Sequence, residues 1–188
     1  MPATLPSPAP DSDDALAACR AGDRRAWAAL LAAHGPTVYA VCRRLDPEPD
    51  DAYQAIWERV LRGLDGFVPG ERPFRSWLLT VAHRHLVDRH RRRTVRRLVA
   101  HRSSPPEVAD DGPSPFDSLD RARQRQALEA ALAELSEPAR RVVVLHHLHG
   151  LDLPAIAATE GVPVGTLKSR LHRARARIAA LLAGGPRD

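Results

Sequence analysis

The segment that most constrains the fold is residues 151–178, LDLPAIAATEGVPVGTLKSRLHRARARI. Asp152 suits the N-cap of a short helix, and Gly161 suits a left-handed turn that a side chain would resist. A longer helix follows, in which Leu167 and Leu171 recur at the spacing of an inward-facing stripe. A short helix, a tight turn and a longer helix in this order predict a helix-turn-helix.

The outward face of the longer helix is polar and basic. In a helix-turn-helix bound to DNA, the second helix enters the major groove and its first residues reach base edges. Arginine side chains suit guanine, and serine or threonine hydroxyls suit phosphates. The predicted DNA-contacting residues are Thr166, Lys168, Ser169, Arg170, His172 and Arg173. The alternative is a helical hairpin whose arginine-rich face is only solvated.

Charge is strongly segregated along the chain, although the net charge is only +5. Residues 83–102 contain eight arginines and one acid, and residues 162–177 contain five basic residues and no acid. The rest of the chain is therefore acidic. Two separate basic blocks indicate one extended polyanion contacted at two places, as in nucleic-acid binding.

Composition narrows the class of protein. Apolar residues make up 44% of the chain and aromatic residues 4%, which favours a helical core over a β-sandwich. No apolar run approaches the ~18 residues that a membrane helix needs, and the N-terminus lacks the pattern of a secretory signal. Cys19 and Cys42 are too few for a disulfide scaffold and indicate a reducing compartment. We expect a cytoplasmic protein.

The chain divides at a proline-rich, acidic stretch that lacks helical periodicity. We predict a disordered tail at residues 1–11, a helical domain at 12–99, a flexible linker at 100–120 and a second helical domain at 121–188. The predicted fold is therefore all-α, with two small helical domains and the helix-turn-helix in the second. We expect no enzyme activity, cofactor or metal, because catalytic motifs and metal-ligand spacings are missing from the sequence.

The first domain ends in a basic helix at residues 74–97. Arginines three or four positions apart, such as Arg89 with Arg92, suit contacts along a phosphate backbone. Phe67 and Phe74 border the glycine- and proline-rich loop before this helix. They either hold an unstacked base or anchor the core.

An acidic stripe lies on an earlier helix of the first domain. Asp51, Gln54 and Glu58 share one helical face because they lie three and four positions apart. An acidic face cannot bind DNA. It either docks a basic protein helix or is only solvated.

Three segments and the acidic linker, taken in order, carry a resemblance to a known family: DDAYQAIWERV, PFRSWLLTVAHRHLVDRHRRR and, after the linker, GVPVGTLKSRLHRAR. The chain resembles bacterial RNA polymerase sigma factors, in particular the two-domain extracytoplasmic-function group. The resemblance covers about residues 14–99 and 121–183. It implies that the protein directs core RNA polymerase to promoter DNA and is held inactive by an anti-sigma factor.

The resemblance also implies roles for individual residues. The residues implied to bind the polymerase clamp are Asp50, Asp51, Gln54 and Glu58. Those implied to recognise and open the −10 promoter element are Phe67, Phe74, Arg84, Asp88, Arg89, Arg91 and Arg92. The outward residues of the helix-turn-helix are implied to read the −35 element. Two residues depart from the family pattern: Ala55 stands where an acid is usual, and Arg84 stands where many members have asparagine.

Two other functions stay open on the sequence alone. One is a conventional helix-turn-helix regulator that binds duplex DNA as a dimer, without polymerase. The other is an interaction protein whose basic blocks bind an acidic partner. The acidic stripe favours a sigma factor over the regulator, because a simple repressor has no use for it.

Overall fold

The computed structural model describes residues 9–100 and 119–183, with side chains described within 9–95 and 123–183. Most of the predicted tail and nearly all of the predicted linker lie outside the described residues. In the ranges described, every regular element is helical, which confirms the predicted all-α class. The helices are α1 (Asp13–Arg20), α2 (Arg24–Leu45), α3 (Pro49–Gly63), α4 (Phe74–Ala100), α5 (Leu119–Ala133), α6 (Glu137–Val143), α7 (Leu153–Glu160) and α8 (Val164–Ala183). We call α1–α4 the N-terminal half and α5–α8 the C-terminal half.

Acidic and hydroxyl side chains begin the first helices. The Ser12 side chain accepts a hydrogen bond from the Ala15 amide, and the Asp23 carboxylate accepts from the Arg25 amide at 2.7 Å. Each bond satisfies an amide that has no partner within its own helix. The caps therefore fix where α1 and α2 begin.

The core of the N-terminal half lies between α2, α3 and α4. Val38, Ile56 and Leu79 are at most 1% exposed there. Gly35 permits the close approach of α3 to α2, because a Cβ atom at this position would lie 2.8 Å from the Tyr53 hydroxyl. A residue with a side chain at this position would displace the Tyr53 ring.

The helix-turn-helix forms as its sequence predicts. The Asp152 carboxylate accepts a hydrogen bond from the Ala155 amide at 2.6 Å, at the start of α7. Gly161 follows α7 with φ +69°, the left-handed conformation that a side chain disfavours. Leu167 and Leu171 of α8 are buried, at 0% and 8% exposure. Their burial directs the opposite side of α8 outward.

One helix of the C-terminal half departs from the sequence prediction. Periodicity predicts a continuous helix over residues 139–149, but α6 ends at Val143 and a π-helical turn continues over Val144–Leu148. The wider turn keeps Val144 and Leu145 fully buried. Gly150 closes it with φ +73°, as expected for a glycine that follows a helix.

The two halves pack against each other in the structure. Helix α4 lies against α7, and α2 lies against α6 and the π-helical turn. The sequence predicts two domains but does not predict this contact between them.

Candidate DNA and polymerase interfaces

The predicted DNA-contacting face of α8 lies on the surface. Thr166, Lys168, Ser169, His172 and Arg173 are all exposed, whereas Leu167 and Leu171, which lie between them in sequence, are buried. Helix α8 thus presents a basic and hydroxyl-bearing edge, of the kind that reaches bases and phosphates from a major groove.

Arg170 differs from its neighbours on α8, because a carboxylate already engages it. Its guanidinium donates to Glu160 at 2.7 Å, and its side chain is 22% exposed. This ion pair holds the Arg170 guanidinium against the end of α7, so the guanidinium does not extend into solvent. Neither the charge pattern nor the helical spacing signals this contact.

Glu160 is the centre of a buried ionic cluster at the end of α7. Its side chain is only 6% exposed, and it contacts Arg141 at 3.4 Å and His83 at 3.7 Å besides Arg170. Burial acts to raise the pKa of Glu160, but its contacts with His83 and the two arginines hold the pKa below its usual value. Glu160 is therefore an anion at neutral pH.

The basic helix α4 uses two of its arginines to hold the chain together. Arg89 and Arg93 both donate to the Asp46 carboxylate, at 3.0 and 2.8 Å, and Arg89 also contacts Glu48 at 2.7 Å. The Asp46 side chain is 0% exposed, so this carboxylate is fully enclosed by its partners. These contacts fasten the segment between α2 and α3 to α4.

The remaining polar residues predicted for the −10 element lie in different surroundings. Asp88 lies 4.0 Å from Arg59, and Arg91 donates to the Glu160 carbonyl at 3.0 Å. Arg84 and Arg92 are exposed, and within the described residues no hydrogen bond or ion pair joins either to another group. These last two arginines offer phosphate-binding charge with the least rearrangement.

Phe67 and Phe74 lie in the core rather than on the surface. Each ring is 4% exposed, and the ring centroids are 5.5 Å apart. Trp77 packs against both rings, at 5.3 and 5.5 Å. Of the two roles that the sequence allows, the structure places both rings as core anchors, because aromatic rings stabilise one another in such clusters. The loop between them is open to solvent, with Val68 52% exposed.

The acidic stripe of α3 is a continuous exposed surface. Asp50, Asp51, Gln54 and Glu58 are all exposed, and Gln54 donates to Glu58 at 3.4 Å. Asp50 and Asp51 occupy the first turn of α3, where the helix dipole favours negative charge. The stripe can therefore receive a basic partner without any rearrangement of the fold.

Metal and thiol chemistry find little support in the described part of the chain. No group of three or more histidine, cysteine, aspartate or glutamate side chains there is placed to hold a metal ion. Burial is the main cause that raises the pKa of Cys19 and raises that of Cys42 to about 12. The reactive thiolate is therefore disfavoured at both cysteines. Within the same residues, none of the helices has the length and apolar composition of a membrane span.

Acid is expected to destabilise the protein through buried histidines. Burial, aided by nearby arginines, lowers the pKa of His85 and of His149 to about 4 in the folded state. In the unfolded chain histidine titrates near 6.5, so the unfolded state binds protons first as the pH falls. The free energy of unfolding should be fully maintained above about pH 6.5 and should decrease steadily as the pH falls towards 4.

Urea denaturation at pH 7 and pH 5 measures this effect. The variant His85→Leu should have a shallower pH dependence, because it removes one of the two titrating rings. Neither ring nitrogen of His85 has a hydrogen-bond partner among the described residues, so leucine breaks no hydrogen bond there. A free energy of unfolding that is equal at both pH values would show that these histidines do not carry the acid sensitivity.

Comparison with known proteins connects both halves to one family. The Sigma-70 region 2 family matches residues 30–104, and the family Sigma-70, region 4 matches residues 125–178. The chain is 31% identical to the RNA polymerase sigma factor CnrH of Cupriavidus metallidurans, over 92% of this chain and 95% of that protein. It is 32% identical to the ECF RNA polymerase sigma factor SigL of Mycobacterium tuberculosis, over 81% of this chain and 89% of that protein.

Two solved structures share the fold. One is the sigma factor RpoE in complex with the anti-sigma factor NepR from Bartonella quintana, with a TM-score of 0.68 at 26% identity over 85% of this chain and 98% of that chain. The other is CnrH in complex with the cytosolic domain of CnrY, with a TM-score of 0.58 at 26% identity over 92% and 97% of the two chains.

Proposed function

Because the chain belongs to the extracytoplasmic-function group of RNA polymerase sigma factors, we propose that its two halves contact the promoter at separate elements while α3 binds polymerase. The protein directs core RNA polymerase to promoters and so acts in transcription initiation. The family supports this function over a conventional helix-turn-helix regulator. We place its action in the cytoplasm and in binding rather than in catalysis, since sigma factors are not enzymes.

The proposal that α8 reads the −35 element rests on the exposed edge of this helix. Helix α8 follows a turn with the left-handed glycine of a helix-turn-helix, and its inward leucines are buried. Lys168, Ser169 and Arg173 are then free to reach bases and phosphates in a major groove. Arg170 reads the same groove when its contact with Glu160 opens or is shared.

The −10 element is proposed to lie along α4 and the loop at residues 68–73. Arg84 and Arg92 supply phosphate contacts, and the exposed loop borders the position of an unpaired base. Capturing a base that has left the stack offsets part of the cost of unstacking it. With both aromatic rings of this region buried, the exposed loop rather than Phe67 or Phe74 is proposed to meet the base.

The acidic stripe of α3 is proposed to bind polymerase, and an anti-sigma factor is proposed as a further partner. The sigma factor RpoE, with which this chain shares its fold, forms a complex with the anti-sigma factor NepR. We also propose two domains, at residues 12–99 and 121–188, and the match of one family to each half supports this division. Asp50, Asp51 and Glu58 give the stripe its charge. The neighbouring Ala55 stands where an acid is usual in the family.

Reversing the charge of the stripe should abolish the complex with core polymerase. The variant Asp51→Arg with Glu58→Arg places like charges opposite a basic partner. Such a pairing costs several kcal/mol of binding free energy, and each 1.4 kcal/mol weakens the affinity ~10-fold. Size-exclusion chromatography of the variant with core polymerase measures the loss. The variant Asp14→Arg with Asp65→Arg changes the net charge equally on exposed sites outside the stripe and should bind normally. Equal binding by both variants would exclude α3 as the polymerase contact.

A further inference from the structure

Arg20 donates hydrogen bonds to two backbone carbonyls just before the exposed loop of the N-terminal half. Its Nε atom donates to the Leu64 carbonyl at 3.2 Å, and one of its Nη atoms donates to the Phe67 carbonyl at 2.6 Å. A single 3-10 turn, Leu64–Gly66, lies between the two acceptors. Residues 68–73 follow at once, and we call them the −10 loop. The Arg20 guanidinium therefore spans the turn from which the −10 loop departs.

The end of α1 gives Arg20 a firm support. Arg20 is the last residue of α1, and Leu16 and Cys19 of the same helix are only 1% and 2% exposed. The Trp27 indole donates to the Cys19 carbonyl at 2.9 Å, which ties the end of α1 to α2. The guanidinium thus extends from a packed corner of the fold.

The conformation of the −10 loop depends on its two ends. Among the described residues, no side chain of the loop makes a hydrogen bond or an ion pair. At the carboxyl end, the Pro73 carbonyl accepts from the Ser76 amide at 3.0 Å, in the first turn of α4. At the amino end, the Phe67 carbonyl and the Val68 amide form one planar peptide group. The bond from Arg20 to this carbonyl therefore sets the direction in which the chain enters the loop.

An arginine is suited to hold two carbonyls in one geometry. Its planar guanidinium carries its donors in a rigid fork, whereas a lysine ammonium is a point charge on a flexible stem. Leu64 directly follows α3, so Arg20 also places a cation at a helix end whose carbonyls lack partners within the helix. As a cap alone, Arg20 would stabilise α3. Its second bond, to Phe67, extends the effect to the −10 loop.

We propose that Arg20 is a positioning residue for promoter opening, which holds the −10 loop in the conformation that receives the unpaired base. This inference rests on the proposed function of the loop. Arg20 acts through the backbone and does not itself contact DNA. A loop that is ordered before binding avoids the entropy cost of being ordered around its ligand. Without Arg20, capture of the base must supply that cost, while the other contacts of the protein with DNA and polymerase remain.

Amide hydrogen exchange of the free protein tests whether Arg20 positions the loop. The Phe67 amide, which donates to the Leu64 carbonyl at 3.1 Å, should exchange several-fold faster in Arg20→Ala. Amides in the middle of α3 should exchange at the unaltered rate. Arg20→Lys should lie between the two. The matched control is Arg25→Ala, which removes the same charge from an exposed side chain that makes no hydrogen bond or ion pair within the described residues.

Binding of single-stranded DNA to the complex with core polymerase tests the consequence for base capture. Labelled oligonucleotides carry one strand of the −10 element, each strand in turn, and an abasic site replaces each base. The captured base is the one whose removal weakens binding of the unaltered complex most. Arg20→Ala should bind the intact strand a few-fold to about 10-fold more weakly, but should match the unaltered complex on the strand that lacks this base. Arg25→Ala should match it on both.

Equal exchange of the Phe67 amide in Arg20→Ala and Arg25→Ala would overturn the positioning of the loop. An equal loss of affinity for the intact and the abasic strand would overturn the role in base capture, because Arg20 would then act on DNA or on the fold in general. If the unaltered complex bound neither strand, the proposed function of the loop would fail. The exchange comparison uses neither polymerase nor DNA and would still decide whether Arg20 positions the loop.

Discussion

Replacing Asp46 with alanine should lower the free energy of unfolding by about 3–5 kcal/mol, the usual result of removing one partner from a buried ion pair. The Asp46 side chain is 0% exposed and accepts from both Arg89 and Arg93. It also accepts from the Glu48 amide at 3.0 Å, which orders the segment between α2 and α3. Without the carboxylate, two arginines would remain partly buried beside each other. Thermal or urea denaturation of the variant measures the loss.

Glu48→Ala is the matched control for this prediction. Glu48 contacts the same Arg89 guanidinium at 2.7 Å, but its side chain is 63% exposed. Exposed ion pairs contribute about 0–1 kcal/mol, so this variant should unfold almost like the unaltered protein. If Asp46→Ala and Glu48→Ala lowered the free energy of unfolding by the same small amount, Asp46 would not be the residue that holds α4 to the rest of the N-terminal half.

The second large effect is expected at the recognition helix. Arg173→Ala combined with Arg170→Ala should weaken binding to DNA that carries the −35 element, since each base-contacting arginine is worth about 1–3 kcal/mol, roughly 5- to 150-fold. Arg173 is the simpler of the two to interpret, because among the described residues its side chain donates a hydrogen bond only to the Ser169 carbonyl of its own helix, at 3.4 Å. Fluorescence anisotropy with labelled duplex at fixed salt measures the affinity, and association with core polymerase should not change.

Arg177→Ala supplies the comparison on the same helix. Arg177 is exposed on α8 but lies a further turn from the N-terminal end that enters the groove. Its loss should weaken binding only slightly and equally for all DNA sequences, as for a phosphate contact. A double variant that bound specific DNA normally but failed to bind polymerase would show that α8 is not the DNA-reading helix.

The helix-turn-helix was predictable because its signals are local. The cap at Asp152 and the left-handed turn at Gly161 depend on residues within one turn of each position. The inward positions Leu167 and Leu171 follow from the helical period alone. The sequence likewise predicts the exposed stripe on α3, since helical spacing alone places its members on one face.

Contacts between distant residues were not predictable from local patterns. Arg89 and Asp46 are 43 positions apart, so the charge pattern shows a basic block and not the acid that neutralises part of it. The sequence leaves Phe67 with two roles, and its burial against Phe74 and Trp77 distinguishes them. The contact of Arg170 with Glu160 depends on how α7 crosses α8, which periodicity does not specify.

Transcription in vitro shows whether the protein directs core RNA polymerase to promoters. The purified protein is added to core RNA polymerase on genomic DNA, and the 5′ ends of the transcripts are mapped against a reaction with core polymerase alone. New start sites should appear, each preceded by the same pair of sequence elements with a nearly constant spacing. The Arg170→Ala and Arg173→Ala double variant should lose these starts. A transcript pattern identical to that of core polymerase alone, from protein shown to be folded, would contradict the function assigned to this chain.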